Sequence, residues 1–247
     1  MFGLTFRRLQ HILLDKMSLS TENLTLRYGD GDKITYALRE ISVAIPTTGF
    51  YGIMGPSGSG KSSLLYLLSG LKLPTEGRVI YGEQTISALA ENERVRLRRE
   101  RFGFVFQQPF LLNYLTAREN ILVAAPENDK TAAKRIDTLL EELHILHLAD
   151  RHPAHLSGGE RQRVVVARAM INQPEVIFAD EPTAALDHSN GRTVIELLQR
   201  YRGKGAVIVV THDASMVEDA DCVYHLSDGT LDHIEEREQG TGEEGRR

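Results

Sequence analysis

The stretch Gly55-Pro56-Ser57-Gly58-Ser59-Gly60-Lys61-Ser62-Ser63 constrains this chain more than any other. An apolar run over 50–54 leads into it and Leu64-Leu65-Tyr66-Leu67-Leu68 leads out, so the order reads strand, loop, helix. Three glycines allow a tight wrap with no Cβ in the way. Successive backbone N–H groups can then point at phosphate oxygens, helped by the positive end of the following helix. In that frame Lys61 reaches the β- and γ-phosphates and the Ser62 hydroxyl binds Mg²⁺. A plain glycine-rich turn would explain the glycines but not a Lys-Ser pair in this register. The loop implies a nucleoside triphosphate and leaves open which class of machine uses it.

A chain of 247 residues can bury a sizeable core, as one large domain or two intimate ones. Its 41% apolar and 26% charged residues are ordinary for a soluble globular protein. The net charge of −5 argues against nucleic acid as the main partner. One cysteine, Cys222, excludes an intrachain disulfide and a Cys-based zinc site; it reads as a small buried apolar residue. No run approaches the roughly 18 apolar residues needed to cross a bilayer. Residues 1–17 read as an unstructured N-terminal extension, with Met17 an alternative start. Phe2, Leu4, Phe6, Leu9, Ile12 and Leu13 could line a short amphipathic helix, but Arg7, Arg8, Gln10 and His11 interrupt any signal-peptide core.

Alternating patterns over 19–26 and 41–45 predict half-buried strands, with Gly29-Asp30-Gly31-Asp32 a turn between them. A short strand is expected over 77–81. The arginine-dense segment 87–101 reads as a helix whose interleaved glutamates make a solvated face. A strand over 102–106 ends at Gln107. Residues 108–156 then read as an inserted helical subdomain, with 131–148 placing Ile136, Leu139, Leu140, Leu143 and Leu146 at helical spacing. Beyond it come a strand over 176–179, a helix over 192–201, and strands over 206–210 and 222–226. Strands alternating with helices imply a mainly parallel sheet with crossover helices. The charged, glycine-bearing segment 235–247 reads as a disordered tail.

Val176-Ile177-Phe178-Ala179-Asp180-Glu181 is an apolar strand ending in two carboxylates. Ligands of open α/β sheets sit at the carboxyl ends of strands, so both acids can face the phosphates. Asp180 suits the metal shell, and Glu181 suits positioning or deprotonating an attacking water. Leu156-Ser157-Gly158-Gly159-Glu160 opens a further helix. A Ser N-cap followed by two glycines leaves N–H groups and a hydroxyl at a positive helix end, a second anion site. Capping alone explains Ser157 but gives no reason for Gly158 and Gly159.

Together these motifs resemble the ATP-binding subunits of ABC transporters over about 18–234. The resemblance rests on GPSGSGKS, Gln107 after a strand, LSGGE, VIFADE, Ala185-Leu186-Asp187 and Thr211-His212-Asp213. It implies an α/β fold: a P-loop, RecA-like, mainly parallel sheet with an N-terminal antiparallel β subdomain and the inserted helical one. It also implies a homodimer closed head to tail around two ATP, each Ser157–Glu160 capping the nucleotide held by the other chain's Gly55–Ser63. By the same resemblance Tyr28 stacks on adenine and Gln107 contacts the metal or water and senses the membrane partner. Asp187 communicates across the dimer, and His212 holds the γ-phosphate and the water. Glu181, His212, Gln107 and Lys61 thus carry catalysis, with Ser62, Gln107 and Asp180 at the metal.

Glu160 stands where Gln is commoner, Ser63 where Thr is usual, and Thr47-Thr48-Gly49 lacks the usual Gly-Glu; none removes a group the chemistry needs. His144 with His147, and His152 with His155, read as exposed or capping histidines rather than metal ligands, since Pro153 breaks the second pair's face. Segments 99–108, 115–120 and 179–183 look most like the subgroup serving lipoprotein release and macrolide-type export. Such a subunit would lie on the cytoplasmic face of the inner or plasma membrane and drive an integral permease on a separate chain. The alternative is a soluble ABC-type ATPase acting on nucleic acid or ribosomes. Such proteins usually carry coiled-coil insertions, zinc modules or tandem cassettes, and none is visible in this sequence.

Overall fold

The computed structural model describes residues 18–29 and 34–237; the N-terminal extension, residues 30–33 of the expected turn and residues 238–247 lie outside them. Strands buried on both faces need uninterrupted apolar runs. β8 (Val176–Asp180) and β9 (Ala206–Val210) have them, and every residue of both is buried. They sit inside a six-stranded sheet with β4 (Gly49–Met54), β7 (Phe102–Phe106), β10 (Cys222–Ser227) and β11 (Thr230–Glu236). Its order is β11-β10-β4-β9-β8-β7, parallel throughout except at the β10–β11 hairpin. The second sheet is antiparallel: β1 (Ser18–Tyr28) pairs with β2 (Thr35–Ile41), β3 (Ala44–Pro46) and β5 (Glu76–Tyr81), and β5 with β6 (Gln84–Thr85).

The period-two alternation of β8 and β9 divides the interior into two cores. Val176, Phe178, Ala206, Ile208 and Val210 face the antiparallel sheet and helix α1 (Lys61–Leu68). Ile177, Ala179, Val207 and Val209 face four other helices. These are α3 (Ala117–Leu122), α4 (Ala132–Glu142), α5 (Gly158–Met170) and α6 (His188–Gln199). The helical insertion therefore has no private core: Ile121, Ile136 and Leu140 join the same apolar cluster as the sheet.

Several expectations need correction. The strand expected over 41–45 is two, because β2 ends at Ile41 and β3 starts at Ala44. The helix expected over 131–148 stops at Glu142; His144 has φ 58 and turns the chain, leaving Leu146 exposed. Helix α2 (Glu91–Arg101) is not solvated at every arginine. Arg94 is buried and bonds the Leu89 carbonyl, and Arg98 donates to Gly70 O at 2.7 Å. The expected tail begins inside β11, which holds Glu235 and Glu236. Cys222 is half-buried rather than buried. Among the described residues no helix is long and apolar enough to cross a membrane.

Candidate functional site

Strand register gathers the chemistry at one edge. Phe106 pairs with Asp180, Asp180 with Val210, and Val210 with Ile53, all in parallel. The next residues along these strands are Gln107, Glu181, Thr211 and Met54, the last of these closing β4 just before Gly55, so four loops leave the carboxyl edge side by side. The chain holds them there by further backbone bonds: Glu181 N–H donates to Val210 O at 2.9 Å and Thr211 N–H to Ile53 O at 3.2 Å. Glu181 pays for its place with φ 46, a left-handed conformation that costs a non-glycine residue about 1 kcal/mol.

The loop from Gly55 wraps as its glycines allow. Gly55, Gly58 and Gly60 have φ 149, 81 and 97. A Cβ on Gly55 would lie 2.1 Å from Leu226 O, and one on Gly60 2.4 Å from Ala37 O, so both are glycine by contact as well as by angle. α1 starts at Lys61 with Gly60 as its N-cap and no side-chain cap, leaving first-turn N–H groups available to an anion. Lys61 is only 8% exposed, and its Nζ donates to Gly55 O and Pro56 O, each at 2.9 Å. An ammonium has three donors, so one remains for a phosphate oxygen.

Ser62 Oγ donates to Asp180 Oδ1 at 2.8 Å, and the Tyr66 hydroxyl donates to Asp180 Oδ2 at 2.6 Å. Burial, then the bond to Asp180, pushes the Tyr66 hydroxyl up to about 12, so it stays protonated. A hydroxyl beside a carboxylate is the all-oxygen donor set that suits Mg²⁺. His212 Nδ1 stands 3.1 and 3.0 Å from the two Glu181 carboxylate oxygens. Facing an ionised carboxylate, which only accepts, Nδ1 would be the donor, and Nε2 could then donate to a phosphate oxygen only from a charged imidazole. The Glu181 side chain is 18% exposed and that of His212 68%. One cleft of about 510 Å³ is lined by Ala37, Ser57, Gly58, Gly60, Lys61, Ser62, Ser63, Glu181 and His212.

Other expected residues lie outside that lining. Ser59 is buried under the loop, its hydroxyl without a partner, and Gly55 and Pro56 contribute the carbonyls that hold Lys61. Gln107 is exposed just past β7. Tyr28 is the last residue of β1, and Lys72 lies over its ring, Nζ 4.1 Å from the centroid, while bonding its hydroxyl. Ser157, Gly158, Gly159 and Glu160 start α5 as a complete capping box: Ser157 N–H donates to Glu160 Oε2 at 2.7 Å and Glu160 N–H to Ser157 Oγ at 3.3 Å. The Ser157 backbone N–H holds the Glu160 carboxyl below its usual range. Asp187 caps α6, accepting from Asn190 N–H at 2.9 Å and Asn190 Nδ2 at 2.7 Å.

Two points went beyond sequence reasoning. Gly159 has an intrachain reason to be glycine, because a Cβ there would lie 2.8 Å from Asn190 Oδ1. Tyr66 is embedded in an apolar run that hides it, yet its place four residues after Ser62 puts both on one face of α1.

Loop, metal-type oxygen pair and Glu–His dyad at the carboxyl edge of a parallel sheet define a P-loop nucleoside triphosphatase. The family described as ABC transporter matches residues 38–184. The macrolide export ATP-binding/permease protein MacB of Campylobacter jejuni is 40% identical over 198 residues, 78% of this chain and 31% of that protein. A Staphylococcus haemolyticus protein named for hemin import, HrtA, is 38% identical over 222 residues, 87% of this chain and 100% of its own. A dimeric ATP-binding cassette in a post-hydrolysis state, bound to ADP and Pi, superposes with TM-score 0.81 at 36% identity, covering 88% of this chain and 98% of that one. The chain belongs to the ABC transporter ATP-binding family. It is an ATP-binding subunit and an ATPase of that family, with its P-loop fold.

Proposed function

We propose that two copies of this chain close head to tail around two ATP and Mg²⁺, driving an integral permease carried on a separate chain. One observation carries the dimer: the capped, glycine-bearing start of α5 presents a positive helix end, yet none of Ser157, Gly158, Gly159 and Glu160 lines the cleft formed by the loop, Glu181 and His212. A head-to-tail pair gives that helix start a phosphate to bind. Lys61 and the N–H groups of α1 hold the β- and γ-phosphates, and Tyr28 offers adenine the ring face opposite Lys72. Bound by Ser62, Asp180 and Gln107, Mg²⁺ would neutralise charge on the β- and γ-phosphates. Glu181 takes a proton from the attacking water as the bond from the γ-phosphorus to ADP breaks. His212 orients Glu181 through Nδ1 and, when protonated, gives Nε2–H to the γ-phosphate. Asp187, the N-cap of α6, would by the family resemblance lie in the contact between copies.

The permease reading draws on exposed apolar side chains following Gln107: Phe110, Leu112, Tyr114, Leu122 and Val123. Asn120 pins that segment, its Nδ2 donating to the carbonyls of Leu112, Leu115 and Thr116. The setting is the cytoplasmic face of the inner or plasma membrane, and the subgroup is export or lipoprotein release. Glu181→Gln tests the scheme in one preparation. Hydrolysis should fall by about 10²–10⁴-fold while ATP is retained, trapping a dimer. Recovered from membranes, that dimer should bring with it a permease of few helices. A near-normal rate sinks Glu181 as the base. Recovery with ribosomes or nucleic acid overturns the transport reading, and an importer-type permease overturns the subgroup.

A further inference from the structure

We propose that Tyr66 is a positioning residue for hydrolysis, its hydroxyl fixing the Asp180 carboxylate and so setting how tightly the nucleotide site holds its divalent metal. The inference rests on the reading of Asp180 and Ser62 as metal-shell residues.

The geometry divides the carboxylate between two donors from one helix face. Ser62 and Tyr66 stand one turn apart on α1, and each takes a different oxygen of Asp180, at 2.8 Å and 2.6 Å. A carboxylate held at both oxygens cannot rotate about its terminal torsion. Asp180 is 8% exposed, so water has little room to replace a lost donor. Oδ1 is thereby kept toward Ser62, the oxygen that shares its metal, while Oδ2 is turned to the phenol. Packing alone gives position 66 no need of an oxygen: the ring is half-buried against the core between α1 and the sheet, and phenylalanine would fill that space equally well. Donors behind a metal ligand commonly set affinity by holding the ligand's orientation.

The test compares wild type, Tyr66→Phe and Asp180→Asn. Mn²⁺ serves as the probe, its binding to the ADP-loaded protein followed by electron paramagnetic resonance. ADP binding is measured separately in EDTA. Tyr66→Phe should weaken Mn²⁺ binding about tenfold, the lower end of outer-shell effects. ADP affinity in EDTA and the melting temperature should stay at wild-type values. The half-saturating Mg²⁺ for hydrolysis should rise in parallel, with kcat at saturating Mg²⁺ largely kept. Unchanged Mn²⁺ affinity in Tyr66→Phe, with Asp180→Asn impaired, overturns the role of Tyr66 and leaves the metal site standing. Wild-type Mn²⁺ affinity in Asp180→Asn overturns the metal-shell reading beneath it. An equal loss of ADP binding in EDTA for Tyr66→Phe makes the residue merely structural and also overturns the proposal.

Discussion

A methyl group added at Gly159 would sit 2.8 Å from Asn190 Oδ1 and 3.0 Å from its Cγ. Asn190 cannot move aside freely, because its Nδ2 and N–H both bond Asp187. Gly159→Ala therefore presses the start of α5 against the cap of α6. Overpacking should outweigh the gain in helix propensity, for a net loss of about 1 kcal/mol in chemical denaturation. Adding Asn190→Ala should return part of that loss, and strict additivity of the two changes would refute the contact. Such a constraint was invisible in sequence. The LSGGE segment advertised its glycines, but nothing local said that one of them answers to a residue on another helix. The placement of Lys61, Ser62, Asp180 and Glu181 was legible for the opposite reason: it follows from strand-to-helix and strand-end positions written in adjacent residues.

Boundaries were legible for the uninterrupted apolar strands of the parallel sheet and less so elsewhere. β7 and β9 fall where their runs predict, whereas β11 is half polar and lies at the sheet edge. Its signal was present in the turn. Asp228 and Gly229 have φ 48 and 78, and Ser227 pairs with Thr230 around them, the two-residue hairpin that an Asp-Gly pair favours. α4 shows how a helix start stores acid sensitivity. Asp129 accepts from Thr131 Oγ1 at 2.6 Å, Thr131 N–H at 2.8 Å and Arg135 at 2.7 Å. Chiefly the Thr131 hydroxyl, then its N–H and Arg135, hold the Asp129 carboxyl at about 2 instead of 3.8. A depressed folded value means the contribution is complete above 3.8 and fades as pH falls toward about 2. Wild type should be the more stable of the pair with Asp129→Asn at about pH 5, and the gap in unfolding midpoint should close on acidification. A gap that is constant with pH would show that the carboxyl's charge is not what holds the turn.

For the molecule as a whole, the mainly parallel sheet with its crossover helices was readable as a class, and the reason is topological. Alternating strands and helices admit few ways to build a parallel sheet. Which helix face meets which strand was not readable, since those contacts join distant parts of the chain. Completeness of the site belongs to this level too. If each site draws on both copies, Lys61→Ala and Ser157→Arg should each abolish hydrolysis alone. Mixed together, the two inactive proteins should regain part of the rate, because a mixed dimer keeps one unaltered loop opposite one unaltered helix start. No recovery on mixing, with mixed dimers present, would mean that each copy works by itself.

α5 is gripped along its length by the segment that follows β7. Gln162 Nε2 donates to Phe106 O at 3.1 Å, and Arg168 donates to Pro109 O and Phe110 O, each at 3.0 Å. Those three carbonyls bracket Gln107. At 1.5 Å per residue the helix is a stiff pushrod about 20 Å long. In the head-to-tail pair proposed above, its start would face a neighbour's phosphate, and its shaft is bonded to the stretch that a permease would touch. A push on Ser157 would then be carried to Phe110 and the exposed residues beyond it, so in such a pair a nucleotide arriving on one copy would be felt as displacement in the other.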